Sequence, residues 1–175
     1  MRKKKQQLVL FALMTLLFLI VLTSGCSLNK RVPQWSGSGF IRKEFLEYKR
    51  VAVLPFEGDS KGEASNTFAS SFHEKFPQIT IVERKQFLKV FREQDLCPGP
   101  LDEETRIRIG KVFDVQAIIQ GSVYYPSILR WLLQVIIIDT EKNEVMGRSL
   151  VEINFMGTEG IKEGCNLAVQ MLTLR

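Results

Sequence analysis

The stretch Leu129–Asp139 constrains the fold more than any other part of this chain. Leu132, Leu133, Val135, Ile136, Ile137 and Ile138 put apolar side chains at both odd and even positions. Successive residues of a strand point to opposite faces, so this strand is apolar on both and belongs in the middle of a sheet. The rest of the chain supplies neighbours and cover. Val51-Ala52-Val53-Leu54, within Arg50–Phe56, is an apolar run stopped by Pro55, the pattern of a buried strand. In Gly62–Phe76, Phe68, Phe72 and Phe76 recur at i, i+4 and i+8, one face of a helix that Pro77 ends. Thr80-Ile81-Val82 is a second short strand. Glu83–Gln94 is predicted as a helix with Phe87, Leu88 and Phe91 inward, and Leu96–Pro100 as a loop broken by Pro98, Gly99 and Pro100.

Asp102 is an N-cap candidate, with Glu103 and Glu104 at the positive end of a helix that turns Ile109, Val112 and Phe113 inward. Ala117–Tyr124 is another strand, and Thr140-Glu141-Lys142-Asn143-Glu144 a hairpin loop leading into Val145–Phe155. Thr158 opens a last helix carrying Ile161, Cys165, Ala168 and Leu172 on one side. The order β-α-β-α-α-β-β-β-α predicts a single-domain α/β sandwich. Its mixed sheet has about five strands, with parallel crossovers early and an antiparallel meander late.

The chain carries 24 Lys+Arg and 19 Asp+Glu over 175 residues, a net charge of +5. Arg2, Lys3, Lys4 and Lys5 hold four of those basic residues and no acid precedes position 26, so the remainder is nearly neutral. The basicity belongs to a leader, and nucleic-acid binding is not expected. Leu8–Leu22 is apolar except for Thr15, short for a membrane span and suited to the core of a signal peptide. Leu22-Thr23-Ser24-Gly25-Cys26 follows and resembles the lipobox of bacterial lipoproteins, with Thr23 where Leu is usual. That resemblance implies cleavage after Gly25 and lipid attachment at Cys26, and so a membrane tether of acyl chains. The same residues would also serve an uncleaved anchor in which Cys26 is an incidental thiol. Ser27, rather than Asp, implies sorting to the outer membrane in a Gram-negative cell, with the protein facing the periplasm. The organisation expected is a signal peptide over 1–25, a lipidated N-terminus and tether over 26–47, and an α/β domain over 48–175. Ser27–Gly39, polar and holding Pro33, Ser36, Gly37, Ser38 and Gly39, reads as the flexible part of that tether.

Chemistry-bearing motifs are sparse. His73 is the only histidine and sits beside Phe72 in the first helix, where a surface role suffices, so no metal site is expected. There is no G-x-S-x-G, no G-x-x-x-x-G-K-[ST] and no G-x-G-x-x-G. Gln120-Gly121-Ser122 has no helix after it to cradle phosphate. Asp139 at a strand end suits a turn better than catalysis. No enzymatic activity and no cofactor are expected. With Cys26 lipidated, Cys97 and Cys165 remain, an even pair that permits one disulfide; a buried inert thiol equally explains Cys165 on its apolar stripe.

Three stretches taken together carry a family resemblance: Val51-Ala52-Val53-Leu54-Pro55-Phe56-Glu57-Gly58; Ile81-Val82-Glu83-Arg84 through Leu88 to Glu93-Gln94; and Ile109-Gly110-Lys111 through Ala117-Ile118-Ile119-Gln120-Gly121-Ser122-Val123. Behind a lipobox, this order resembles the CsgG-like envelope lipoproteins, whose domain is similar to the TolB N-terminal domain and to LpoB. The resemblance covers about residues 49–172. It implies a non-enzymatic accessory factor that binds another envelope protein in secretion, surface assembly or peptidoglycan synthase activation. The alternative it implies is a subunit of a homo-oligomeric outer-membrane export channel. Asp114-Val115-Gln116 stands where the family has Gly-Ala-Asp, and Asp tolerates the left-handed conformation that exit needs. The long amphipathic hairpins of a channel are not found: the segment after Gly121 is short, and the strand that follows is apolar on both faces.

Overall fold

A computed structural model describes residues 34–82, 101–128, 130–154 and 158–175. The helix expected at Glu83–Gln94 and the loop at Leu96–Pro100 lie outside them. In chain order the elements are β1 (Gln34–Ile41), a 3-10 turn (Lys43–Glu47), β2 (Arg50–Val53), α1 (Glu63–Lys75), β3 (Thr80–Val82), α2 (Glu103–Phe113), β4 (Ala117–Ser127), β5 (Arg130–Asp139), β6 (Val145–Asn154) and α3 (Thr158–Gln170). One mixed sheet of six strands runs in the order β1-β6-β5-β4-β2-β3. β2 pairs parallel with β3 and β4, whereas β4-β5-β6-β1 is antiparallel throughout. The parallel-then-meander sandwich expected from the sequence is therefore present, with β5 inside the sheet.

The sixth strand is a correction. Gln34–Ile41, in the stretch expected as flexible tether, pairs antiparallel with β6 from Gln34↔Asn154 to Ile41↔Gly147. Its glycines serve packing rather than flexibility. A Cβ on Gly39 would stand 2.8 Å from the carbonyl oxygens of both Arg148 and Met171. β1 is thus small because β6 and the end of α3 press against it. The chain's last residues close its inner end: Ile41 N–H donates to Thr173 O at 2.8 Å and Arg175 N–H to Ile41 O at 2.9 Å.

Two cores flank the sheet. The larger packs α1 and α3 against Val51, Val53, Ala117, Ile119, Leu133, Val135, Ile137, Val151 and Ile153. The Phe ladder of α1 lies here as expected, with Phe68–Phe72 and Phe72–Phe76 ring centroids at 5.8 and 4.8 Å. Phe45 from the 3-10 turn adds an edge contact to Phe72 at 6.1 Å. α3 approaches through Gly164, where a Cβ would sit 2.6 Å from the Trp131 ring. Lys75 at the end of α1 donates to the carbonyls of Val169, Gln170 and Leu172, capping the C-terminus of α3. The smaller core sets Leu101, Ile109, Phe113 and Val115 against Ala52, Leu54, Val82 and Ile118. Val112, expected inward with these, is 51% exposed. Gly110 takes the contact instead, because Thr140 fills the space where its side chain would be.

Asp102 caps α2 as expected, its Oδ1 accepting the Thr105 N–H at 2.8 Å. Asp114 ends that helix in the left-handed conformation, φ 52° and ψ 53°. β4 runs three residues beyond the expected Tyr124. A register shift between Tyr124 and Ser127 accommodates Pro126, which has no N–H for the ladder.

Candidate functional site

Cys26 and Cys97 lie outside the described residues. Cys165 is fully buried, and its thiol donates to the Ala64 carbonyl at 3.4 Å. Burial, with Asp59 and Glu63 nearby, pushes it up to about 12. A thiol held this far from its thiolate is a packing group. His73 is exposed on α1. Among the described residues, no group of three or more His, Cys, Asp and Glu stands close enough to hold a metal ion.

Asp139 closes β5 as a turn residue. Its Oδ1 accepts the backbone N–H groups of Glu141 and Lys142 at 2.8 and 2.6 Å, and the Tyr48 hydroxyl donates to Oδ2. Burial alone would raise this carboxyl. The hydrogen bonds from Lys142, Tyr48 and Glu141 outweigh it and hold the group below the ordinary carboxylate range. The Tyr48 hydroxyl is pushed up by its own burial and by the bonded carboxylate. A carboxylate with both oxygens occupied by structural donors is a brace. Gly121 is likewise a packing glycine: a Cβ there would meet the Phe56 ring at 2.6 Å.

Among the described residues, the surface offers more than any cluster of reactive side chains. Two parts of it stand out. The first is the sheet face opposite α1 and α3. On β5 this face holds Leu132, Gln134, Ile136 and Ile138, in register with Glu152, Leu150 and Arg148 on β6 and with Tyr124, Ser122, Gln120 and Ile118 on β4. Only its inner end, at Ile118 and Ile138, is buried; Leu132 and Ile136 are half-buried, and Leu150 and Tyr124 are exposed. Among the described residues, β5 is fully covered on the side of α1 and α3 and only partly on this one. Phe40 of β1, half-buried, extends the same face to the sheet edge beside Arg148.

The second is the end of the sheet where the β4–β5 connection turns. Ser127 pairs with Arg130, Arg130 with Asn154, and Asn154 with Gln34, so the start of β1 shares this end. Arg130 forms an ion pair with Glu152 at 3.0 Å. Neither surface was expected. The alternation of Leu132, Gln134 and Ile136 held the signal for the first, obscured by the equally apolar opposite parity.

No protein-family model matches the chain, and no curated protein matches it. Solved structures do. The chain is similar to the PelC dodecamer from Paraburkholderia phytofirmans at 10% identity and a TM-score of 0.52, over 79% of this chain and 94% of that one. It is also similar to lipoprotein GNA1162 from Neisseria meningitidis, at 11% identity and a TM-score of 0.49, over 63% and 83% of the two chains. The LpoB C-terminal domain from Salmonella enterica gives 15% identity and a TM-score of 0.49, over 61% and 82%. At such identities the likeness, carried by the PelC match, is one of fold alone.

Proposed function

We propose that this protein is a lipid-anchored envelope lipoprotein of the CsgG-like and TolB-like kind. It acts as an accessory factor by binding another envelope protein, and it carries out no reaction of its own. The observation that carries this reading is the half-open sheet face. Leu132, Ile136, Leu150 and Phe40 leave apolar surface there, interleaved with Gln134, Ser122, Arg148 and Glu152. Apolar groups mixed with polar ones able to hydrogen-bond across are the composition of non-obligate protein interfaces. The lipobox-like segment at Cys26 supports both the anchor and the envelope setting. Facing the periplasm from the outer membrane is part of the same proposal.

The test has two arms. Metabolic labelling with a fatty acid is expected to mark the wild-type chain and not Cys26→Ala; equal labelling overturns the anchor. A photo-crosslinking residue at Leu150 in cells is expected to capture one envelope protein reproducibly, whereas the same residue at Glu74, exposed on α1, captures none. Equal capture at both positions overturns the face.

The second reading is a homo-oligomeric ring serving export, favoured by the fold shared with a dodecamer. Capture of the chain by itself at Leu150, with a ring and ion conductance in detergent-solubilised protein, selects it. A monomer without conductance rejects it.

A further inference from the structure

We infer that the sheet end built from the β4–β5 tip and the start of β1 docks end-on against a lipid bilayer surface. The inference rests on the lipid-anchor reading of Cys26. Nine large hydrophobic residues are exposed among the described residues, and four of them gather at this end: Trp35 at 45%, Tyr124 at 63%, Tyr125 at 45% and Ile128 at 91%. The other five lie apart, on the 3-10 turn, α2, β6 and the C-terminus.

Where the chain enters the fold decides what meets this patch. The rung Gln34–Asn154–Arg130–Ser127 puts the first residue of β1 three strands from the tip, about 14 Å at ordinary strand spacing. Gln34 is eight residues after Cys26, and eight residues span at most about 29 Å even when fully extended. An acylated Cys26 therefore delivers its bilayer to the end of the sheet that holds the patch. The opposite end, where Asp139, Lys142 and Val145 lie, is a full strand length further away.

The chemistry fits a lipid interface. Tyrosine and tryptophan settle at the headgroup level, where their rings are half in hydrocarbon and their polar atoms stay wet, and an aliphatic tip such as Ile128 enters below them. The aromatics also lie on both sides of the sheet. Tyr124 pairs with Leu132 on the open face, whereas the next residue, Tyr125, has its hydroxyl pushed up by burial and by Asp59 and Glu63, just before and at the start of α1. Trp35 pairs with Ile153 of the larger core. A protein groove would meet one face; a plane met end-on touches both. Arg130 is paired with Glu152, and the nearby Asp59 and Glu63 are acidic, so the contact draws on apolar chemistry and not on anionic headgroups. It is expected to form on uncharged lipid and to persist in high salt.

The test uses the full-length lipoprotein, purified from cells and reconstituted into dioleoylphosphatidylcholine vesicles. On a Cys97→Ser background, with Cys165 buried and silent, an environment-sensitive fluorophore is attached at Ile128→Cys or at Lys142→Cys. Lipids carrying a shallow nitroxide are expected to quench the Ile128 probe severalfold more than the Lys142 probe, in low and high salt alike. Replacing Tyr124 and Tyr125 with Ser is expected to reduce that quenching. Protein that floats with the vesicles while both probes are quenched equally overturns this inference and leaves the anchor standing. Wild-type protein that fails to float overturns the anchor reading and this inference with it.

Discussion

The Tyr48 hydroxyl donates to Asp139 Oδ2, tying the segment that follows the 3-10 turn to the end of β5. The other oxygen of that carboxylate accepts the Glu141 and Lys142 N–H groups, so one side chain satisfies three donors from two parts of the chain.

Replacing Asp139 with Ala strands those donors at a site where Asp139 is buried. A loss of about 1–2 kcal/mol is expected in urea unfolding, since three part-buried hydrogen bonds to a charged acceptor are lost and water replaces them in part. Tyr48→Phe removes one donor and costs about 1 kcal/mol. The double variant is expected to lose less than the sum of the two, because the groups share one network. The acid limb follows from the lowered carboxyl: its stabilisation is complete above the ordinary value of about 4 and disappears as pH falls through the lower folded value. The stability difference between wild type and Asp139→Asn should therefore shrink on acidification; a difference constant from neutral to strongly acidic pH would refute the brace.

Gly39 and Ser38 are neighbours that the structure treats differently. A methyl group on Gly39 would strike two backbone oxygens, at Arg148 and Met171, neither able to swing aside, whereas Ser38 is exposed. Gly39→Ala is expected to destabilise by about 1–3 kcal/mol, as overpacking does. Ser38→Ala should stay within about 0.5 kcal/mol. If this stretch were a tether, both would be silent in a thermal melt.

That pair also shows where the sequence was legible. Elements that bury a periodic stripe were visible: the Phe68-Phe72-Phe76 face, the apolar run of β5 and the Asp102 cap all lie where their residues indicate. Ser36-Gly37-Ser38-Gly39 has no side chains to bury, so its composition is that of a linker, and only the third dimension reveals what its glycines admit. Val112 and Gly110 exchange roles for a related reason. Helical periodicity locates a face to within a residue, but the neighbour that fills it, here Thr140, comes from a distant turn. The candidate surfaces were less legible still. An apolar residue left for a partner looks like one meant for the core, so Leu132 and Ile136 were indistinguishable from Leu133 and Ile137.

Asp114 occupies a left-handed position that a glycine would adopt without strain. Asp114→Gly removes a conformational cost of about 1–2 kcal/mol and adds about 0.5–1 kcal/mol of unfolded-state freedom, so a net gain between about 0 and 1.5 kcal/mol is expected. Asp114→Val, β-branched and without a polar group for local bonding, should lose more than about 1 kcal/mol. Guanidinium midpoints of the three proteins check the order Gly, Asp, Val; a Gly variant weaker than Val would mean that the Asp side chain itself secures the exit of α2.

Cys165 tests the interior. Its thiol lies at 0% exposure beneath α1, bonded to the Ala64 carbonyl, and burial holds it near 12, so at neutral pH almost no thiolate is present to react. An alkylating reagent applied to native protein should leave the peptide carrying Cys165 unmodified for as long as the fold persists. After unfolding without reductant the same peptide should be modified fully, because the native thiol carries a hydrogen rather than a second sulfur. Peptide mass spectrometry reads both states. Modification in the native protein at the rate of a model thiol would show that α1 and α3 separate readily. Protection that survives unfolding and is lifted only by reductant would show Cys165 bridged. Cys165→Ser is expected to destabilise by about 1–3 kcal/mol, since the stronger hydroxyl dipole enters a site with a single carbonyl acceptor among apolar neighbours.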